Sequence, residues 1–417
     1  MSRINRRTFL KGAGVAAGAA AIQGAPAFLR YGRGAVPIKW GSIHPTTGPY
    51  ATEAFDQKVG VEIAIADVNA KGGVMGRKVE LYFRDDQFKW DQTTTHALDL
   101  LDNHKVDFLA GSLVGPEEIR LNEISRKRKI IYANYPQHIL STPKNAKKMS
   151  PWFFTANVTP YQTMAGVARY AAKNFSGRKW HFIGDDYSWP KMFIPAVDAI
   201  AKDVGAKFHK RKSTSWVPFP SSLDYSAHFP KILKLKPDVL FVTNFGKRQV
   251  AFVKQAVEAK LHKKVQIVFS LSEITMPEAA GPGLYEGMFA GMSWHWSLKD
   301  KYPGAKVFYD KFWSKRNRPP SAYASSAYEL VRLILDTANE IKSLNPNKLK
   351  AALEGRKFQY LKGPSQIRAC DHVNISEFFV TKGKAKSAMK DKFDLLEIVD
   401  RVAGEGSALD CKSKGLV

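Results

Sequence analysis

From Lys39 onward the chain alternates between apolar residues two apart and apolar residues three to four apart, and that alternation narrows its possible folds more than any other feature. "IKWGSIHP" has the pattern of a strand; Phe55, Val59, Ile63, Ala66 and Ala70 then recur at helical spacing until Gly72-Gly73. Val79, Leu81 and Phe83 alternate with Glu80, Tyr82 and Arg84 as a second strand. A helix over 92–104, the strand "VDFLAG", a helix with Pro116 in its first turn and the strand "KIIYAN" complete a first series. A second series begins after Pro151 with helix 160–174, strand "KWHFIG", helix 190–203 and strand "AKFHK". Helix 225–235, strand "DVLFVTN", helix 247–260 and strand "VQIVFS" follow. Short connections between β and α units predict parallel strands covered by helices, so two series predict two doubly wound parallel-sheet lobes of α/β class.

No long flexible linker separates the series, and the helical region 302–354 comes after the second. The chain is therefore expected to cross between lobes near 156, 288 and 364. This assigns 36–156 plus 289–363 to lobe 1, and 157–288 plus 364–417 to lobe 2. A few extended crossings would form a multi-strand hinge.

Residues 1–35 are excluded from the fold. The glycines of "NRRTFLKGAGVAAG" would need a buried strand before them to cradle a nucleotide, and only "MSRI" precedes. Arg6-Arg7, Phe9-Leu10-Lys11, a mild Ala/Gly run to Ile22 and Ala25-Pro26-Ala27 resemble a cleaved twin-arginine signal peptide, with Asn5 where Ser or Thr is commoner. No cysteine lies near the cut, so no lipid anchor is expected. The remainder has no apolar run near the roughly 18 residues of a membrane span, which predicts a soluble periplasmic chain.

Formal charge is +26, and the first 35 residues hold six Lys/Arg and no acids, leaving +20. The basic residues are dispersed, and "RKRK" at 126–129 and "KRK" at 210–212 lack the interleaved aromatics that stack on bases. A solvated basic surface is expected, and no nucleic-acid partner. Cys370 and Cys411 are too few for a zinc site. In an oxidising compartment a disulfide from "QIRAC" to the C-terminal tail competes with a reduced pair. Metal-ligand spacing, a G-x-S-x-G elbow and a cofactor loop are all missing, so neither catalysis nor a cofactor nor a metal is expected. An exported enzyme is the lesser alternative; its best candidate, Cys370-Asp371-His372, has no further ligand spacing around it.

"IADVNAKGGVMGRKVELYFRDDQ" resembles the helix–turn–strand of type I periplasmic solute-binding proteins, in the branched-chain amino acid (Leu/Ile/Val) receptor family of ABC importers. "TTGPYA", "GDDYSW", "PDVLFVTNFG" and "GMFAG" match later landmarks in order, and the similarity covers essentially everything after residue 36. The turn glycines suit positive φ and tight reversal, which is a structural role. The resemblance implies an exported, monomeric binding protein that closes on a small solute and works with ABC permease subunits in the inner membrane. The solute would be an amino acid, an amide or an aromatic acid. A ligand-binding subunit of a sensory system would present the same lobes, and remains an alternative.

In open α/β sheets ligands bind beyond the carboxyl ends of the strands. With two lobes face to face, this selects Glu53, Ser112, Gly115, Tyr135, Gln137, Trp189, Asn244, Phe245 and Glu273 as ligand-binding candidates. Departures from the family pattern are concentrated in the carboxylate loop "GSLVGPEE". Gly115 replaces a hydroxyl residue, Pro116 has no N–H, and Glu117 and Glu118 already satisfy the helix dipole. Ser112 falls two positions early. "NYPQ" puts the bulky Tyr135 and Gln137 where small residues are usual. The acidic partner of an ammonium should fall near Leu271, and the nearest carboxylate is Glu273. Trp189 and Phe245 keep aromatic positions, and Glu53 reads equally as a ligand contact or a solvent-facing cap. Trp294, His295 and Trp296 read as packing, with His295 within reach of the cleft. An aromatic, amide-rich cleft is expected, which weakens a simple leucine or valine ligand.

Overall fold

The computed structural model describes residues 36–136, 143–157, 159–208, 214–404 and 408–416; the export signal and Gln137 lie outside the described residues. Strands β1 (Ile38–His44), β2 (Val79–Asp85), β3 (Phe108–Gly111), β4 (Tyr132–Asn134) and β5 (Phe153–Thr155) form a parallel sheet ordered β2-β1-β3-β4-β5. Strands β6 (Lys179–Asp185), β7 (Lys207–Phe208), β8 (Ser215–Val217), β9 (Val239–Thr243), β10 (Gln266–Phe269) and β11 (Phe289–Met292) make the parallel part of a second sheet. Short strands β12 (Lys357–Phe358), β13 (Ser365–Ile367) and β14 (Asn374–Ser376) form a small antiparallel sheet. Finally β15 (Phe378–Gly383) and β16 (Leu396–Val402) extend the second sheet antiparallel to β11.

Successive strand residues point to opposite faces, so a sheet buried on both sides needs apolar residues in both phases. In the first sheet Ile38, Trp40, Phe108 and Ala110 face the helices Ala51–Ala70 and Ala322–Glu340. Ile43, Leu109, Tyr132 and Phe153 face Trp90–Asp102 and Gly115–Arg128 on the other side. In β9, Leu240 and Val242 pack toward the helix Lys247–Glu258, whereas Val239 and Phe241 pack toward Pro160–Asn174 and Ile194–Asp203. Helices Ala51–Ala70 and Ala322–Glu340 touch backbone to side: a Cβ on Gly60 would lie 2.2 Å from the Ala324 carbonyl oxygen.

The first helix ends as its turn chemistry requires. Gly72 and Gly73 have φ of 99° and 73°, and the Gly73 N–H reaches back to the Val68 carbonyl at 3.0 Å.

Two expected crossings move. β11 pairs with β10, so Phe289–Met292 belongs to the second sheet and the chain leaves it after Met292 rather than at 288. β13 and β14 belong to neither large sheet, and the return to the second sheet follows Ser376 rather than residue 364. Met288 to Gly291 of the "GMFAG" run are all buried, so the pattern gives no sign of which sheet receives it. The crossings are held together where they meet. Buried Lys362 donates to the Ser293 carbonyl and Ser376 Oγ, both at 3.0 Å, and Asn374 Nδ2 donates to the Ala156 carbonyl.

Cys370 and Cys411 are joined as a disulfide with their Cα atoms 6.4 Å apart, tying the last described segment to the turn after β13. Among the described residues, no helix is long and apolar enough to cross a membrane.

Candidate functional site

The carboxyl ends of both sheets open onto one cavity of about 380 Å³. From the first sheet, Tyr50 follows β1, Phe88 and Trp90 follow β2, Leu113 to Pro116 follow β3, and Pro136 follows β4. From the second, Tyr187 to Trp189 follow β6, Phe219 and Pro220 follow β8, and Phe245 follows β9. Tyr323 enters from the first turn of the helix Ala322–Glu340.

The rings touch across the seam between the halves. Tyr50 lies 5.8 Å from Phe245 and 5.5 Å edge-on to Phe88, and Phe245 lies 5.7 Å from Tyr323 and 6.2 Å edge-on to Trp189. Tyr187 stacks on Phe219 at 4.3 Å. Such offset and edge contacts suit the quadrupoles of aromatic rings. Gly246, at φ 58°, lets the backbone pass close to Tyr50: a Cβ there would sit 3.0 Å from the ring.

Of the residues selected from sequence, Gly115, Trp189 and Phe245 are on the wall. The other described candidates stand behind it, and Gln137 is outside the described residues. Ser112 Oγ accepts from Tyr132 Oη at 3.0 Å and from Asn134 Nδ2 at 3.1 Å. Tyr135 is fully buried, and its hydroxyl accepts from Trp40 Nε1 at 3.0 Å. Asn244 is buried, and its backbone carbonyl accepts from Gln249 Nε2 at 3.0 Å.

Glu53 is neither a solvent-facing cap nor a wall residue. It is buried and accepts the Thr275 hydroxyl at 2.8 Å, from the start of the helix Thr275–Ala280. Burial pushes it up to about 7, against the lowering effect of that hydroxyl. Glu273 accepts the Ala322 backbone N–H at 2.9 Å; burial holds its carboxyl well above the usual range. The cause in both cases is desolvation of the charged form. His295 is likewise buried, with Nδ1 2.8 Å from Ser297 Oγ, and Trp294 Nε1 donates to the Leu361 carbonyl; both are packing residues.

Phe88, Trp90, Phe219, Pro220 and Tyr323 are wall residues in segments that sequence reasoning passed over, whereas Tyr50 and Tyr187 lie in selected loops but outside the nine candidates. The first four follow the ends of β2 and β8, so extending the strand-end rule to those strands would have found them. Tyr323 had no comparable signal, because it reaches the cavity from a helix that follows both series.

Charges stay behind the wall. Arg248 Nη2 donates to Asp185 Oδ1 at 2.9 Å, with Nε 2.8 Å from Oδ2, and the Tyr225 hydroxyl donates to the same Oδ1 at 2.7 Å. The guanidinium lies over the Phe219 and Tyr225 rings. At the start of the helix Gly115–Arg128, Glu117 Oε2 accepts the backbone N–H of Leu113 at 2.8 Å and of Val114 at 3.3 Å. Burial, with Asp86 adding to it, raises Glu117 to about 8. Burial also keeps the cavity phenols neutral: Tyr50 is pushed up to about 12, and Tyr187 and Tyr323 are held well above the usual phenol range.

Two helix-covered parallel sheets whose strand ends converge on one shared aromatic cavity define an α/β solute-binding architecture. Residues 37–388 match the family described as periplasmic binding protein, and the chain belongs to it. Proteins of this family bind small solutes and work with ABC permeases; they are not enzymes. Residues 3–22 match the twin-arginine translocation signal, which with the family assigns the chain to periplasmic export. The Leu/Ile/Val-binding protein homolog 7 of Brucella abortus is 23% identical over 329 residues, covering 76% of this chain and 80% of its own length. A periplasmic binding protein from Burkholderia mallei superposes with a TM-score of 0.80 at 22% identity, covering 91% of this chain and 97% of that one. A solute-binding protein of an ABC transporter from Rhodopseudomonas palustris, solved with 3,4-dihydroxybenzoic acid, gives 0.77 at 19% identity, covering 88% and 98%.

Proposed function

We propose that the protein captures a small solute by closing its two halves on the cavity, and delivers it as a monomer to ABC permease subunits in the inner membrane. The observation that carries this reading is the composition of the wall: Tyr50 from one half and Phe245 from the other are in ring contact, 5.8 Å apart. A solute between them gains its full set of contacts only when the halves are together. That differential contact is what shifts an open–closed equilibrium. The crossings after residue 155, after Met292 and after Ser376 serve as the hinge, with Lys362 and Asn374 holding them in register. Gly115, Trp189 and Phe245, with Tyr50, Tyr187 and Tyr323, are the proposed solute contacts. The basic surface is read as solvated, with no nucleic-acid partner.

The test is a thermal-shift panel of amino acids, amides, aromatic acids and uncharged aromatics, followed by small-angle scattering on any hit. At least one solute should raise the melting temperature and reduce the radius of gyration. No stabilisation by any of them at millimolar concentration refutes solute capture.

A further inference from the structure

We propose that the cavity selects an uncharged aromatic solute and excludes the matching carboxylate. This rests on the cavity being the solute site and adds what that site accepts. Its volume of about 380 Å³ falls in the range of small-molecule sites, about 300–1,000 Å³. Among the described residues, no Lys, Arg, Asp, Glu or His lines it.

Two backbone donors that an anion would use are already taken. The N–H groups of Leu113 and Val114 bond to Glu117, and Pro116 has no N–H to give. Arg248, whose guanidinium lies over the Phe219 ring, is spent on Asp185. A carboxylate entering here would lose its water without gaining an ionic partner, which excludes it.

A cation fares no better. Glu53 and Glu273 face Thr275 and the Ala322 N–H rather than the cavity, and burial favours their protonated forms. An amino acid would need both missing anchors at once. What the wall does offer is ring faces and edges, together with the neutral hydroxyls of Tyr50, Tyr187 and Tyr323. These suit a flat ring bearing a carbonyl, amide or hydroxyl group.

The experiment is calorimetry on the mature disulfide-bonded protein at neutral pH with benzamide, indole, benzoate, benzyltrimethylammonium and L-leucine. Benzamide and benzoate have nearly the same shape and differ in charge. Benzamide or indole should bind at least about ten-fold tighter than the other three. If benzoate, the quaternary ammonium or leucine matches or exceeds the neutral rings, the inference falls while solute capture stands. The same holds if none of the five binds but another solute does. If no solute of any class binds, both fall together.

Discussion

The Thr275 hydroxyl donates to Glu53 Oε1 across 2.8 Å, joining a helix of the first half to the first turn of the helix Thr275–Ala280 in the second. The carboxyl is buried, with Asp56 and Arg318 from its own side and Glu273 from the other acting on the same region. Its raised pKa of about 7 makes stability depend on pH. The folded state binds this proton more tightly than the unfolded state. Its contribution is therefore complete below the ordinary value of 4.5 and lost as pH rises through about 7. Buried His44 and His295, held down to about 4, act oppositely: their contribution is complete above 6.5 and lost on acidification. From 6.5 upward the carboxyls decide the slope, so the melting temperature should fall between about pH 6.5 and 8. Glu53→Gln should remove a share of that fall worth about 0.5–1 kcal/mol over this interval, with Glu117 and Glu273 among the carboxyls that supply the rest. An unchanged slope in the variant would contradict the assignment.

The Arg248–Asp185 pair makes a separate prediction. Both groups are almost wholly buried, so removing one leaves the other charged and without its counter-ion. Arg248→Met should cost about 3–5 kcal/mol in urea denaturation, while Arg248→Met with Asp185→Asn should recover most of it. A double variant as unstable as the single one would mean that the guanidinium acts through its packing on Phe219 and Tyr225.

Gly60→Ala tests the close approach of the helices Ala51–Ala70 and Ala322–Glu340. The added methyl would lie 2.2 Å from backbone that cannot rotate away, so the helices must separate. The expected loss is about 1–3 kcal/mol in unfolding free energy, despite alanine's better helix propensity. A neutral or stabilised variant would show that the helix pair yields more easily than its packing implies.

The two sheets were legible in the sequence because burial on both faces leaves continuous apolar runs such as "DVLFVTN", and the gap between runs fits one helix. The order in which strands join a sheet is set by pairing, and side-chain pattern does not record it. Hence the pattern alone places β11 on the wrong side of a crossing. The cavity was legible to the extent that strand ends define it: Trp189 and Phe245 follow β6 and β9 directly. Polar residues in the same loops could not be assigned in this way. Glu53, in the first turn of the helix after β1, and Glu273, in the loop after β10, lie near the cavity by position, yet each finds a bonding partner across or behind the seam and turns to it. Their direction depends on Thr275 and Ala322, which are far away in the chain.

Trp189 lets the cavity report on its own occupancy. It is half-buried on the wall, edge-on to Phe245, whereas Trp90 on the same wall is exposed and the other seven tryptophans are not among the wall residues. A solute stacking between the halves should therefore change emission chiefly through Trp189. Trp189→Phe keeps a ring in place, so it should retain solute affinity within about three-fold while losing most of the solute-induced fluorescence change. Phe245→Ala differs in kind, because it removes the ring that touches Tyr50, Trp189 and Tyr323 together. It should weaken solute binding at least about ten-fold and also open the seam between the halves, seen as a larger radius of gyration in the presence of solute. If Trp189→Phe keeps the full fluorescence response, the solute sits elsewhere. If Phe245→Ala binds normally, ring contact across the seam is not what holds the closed form.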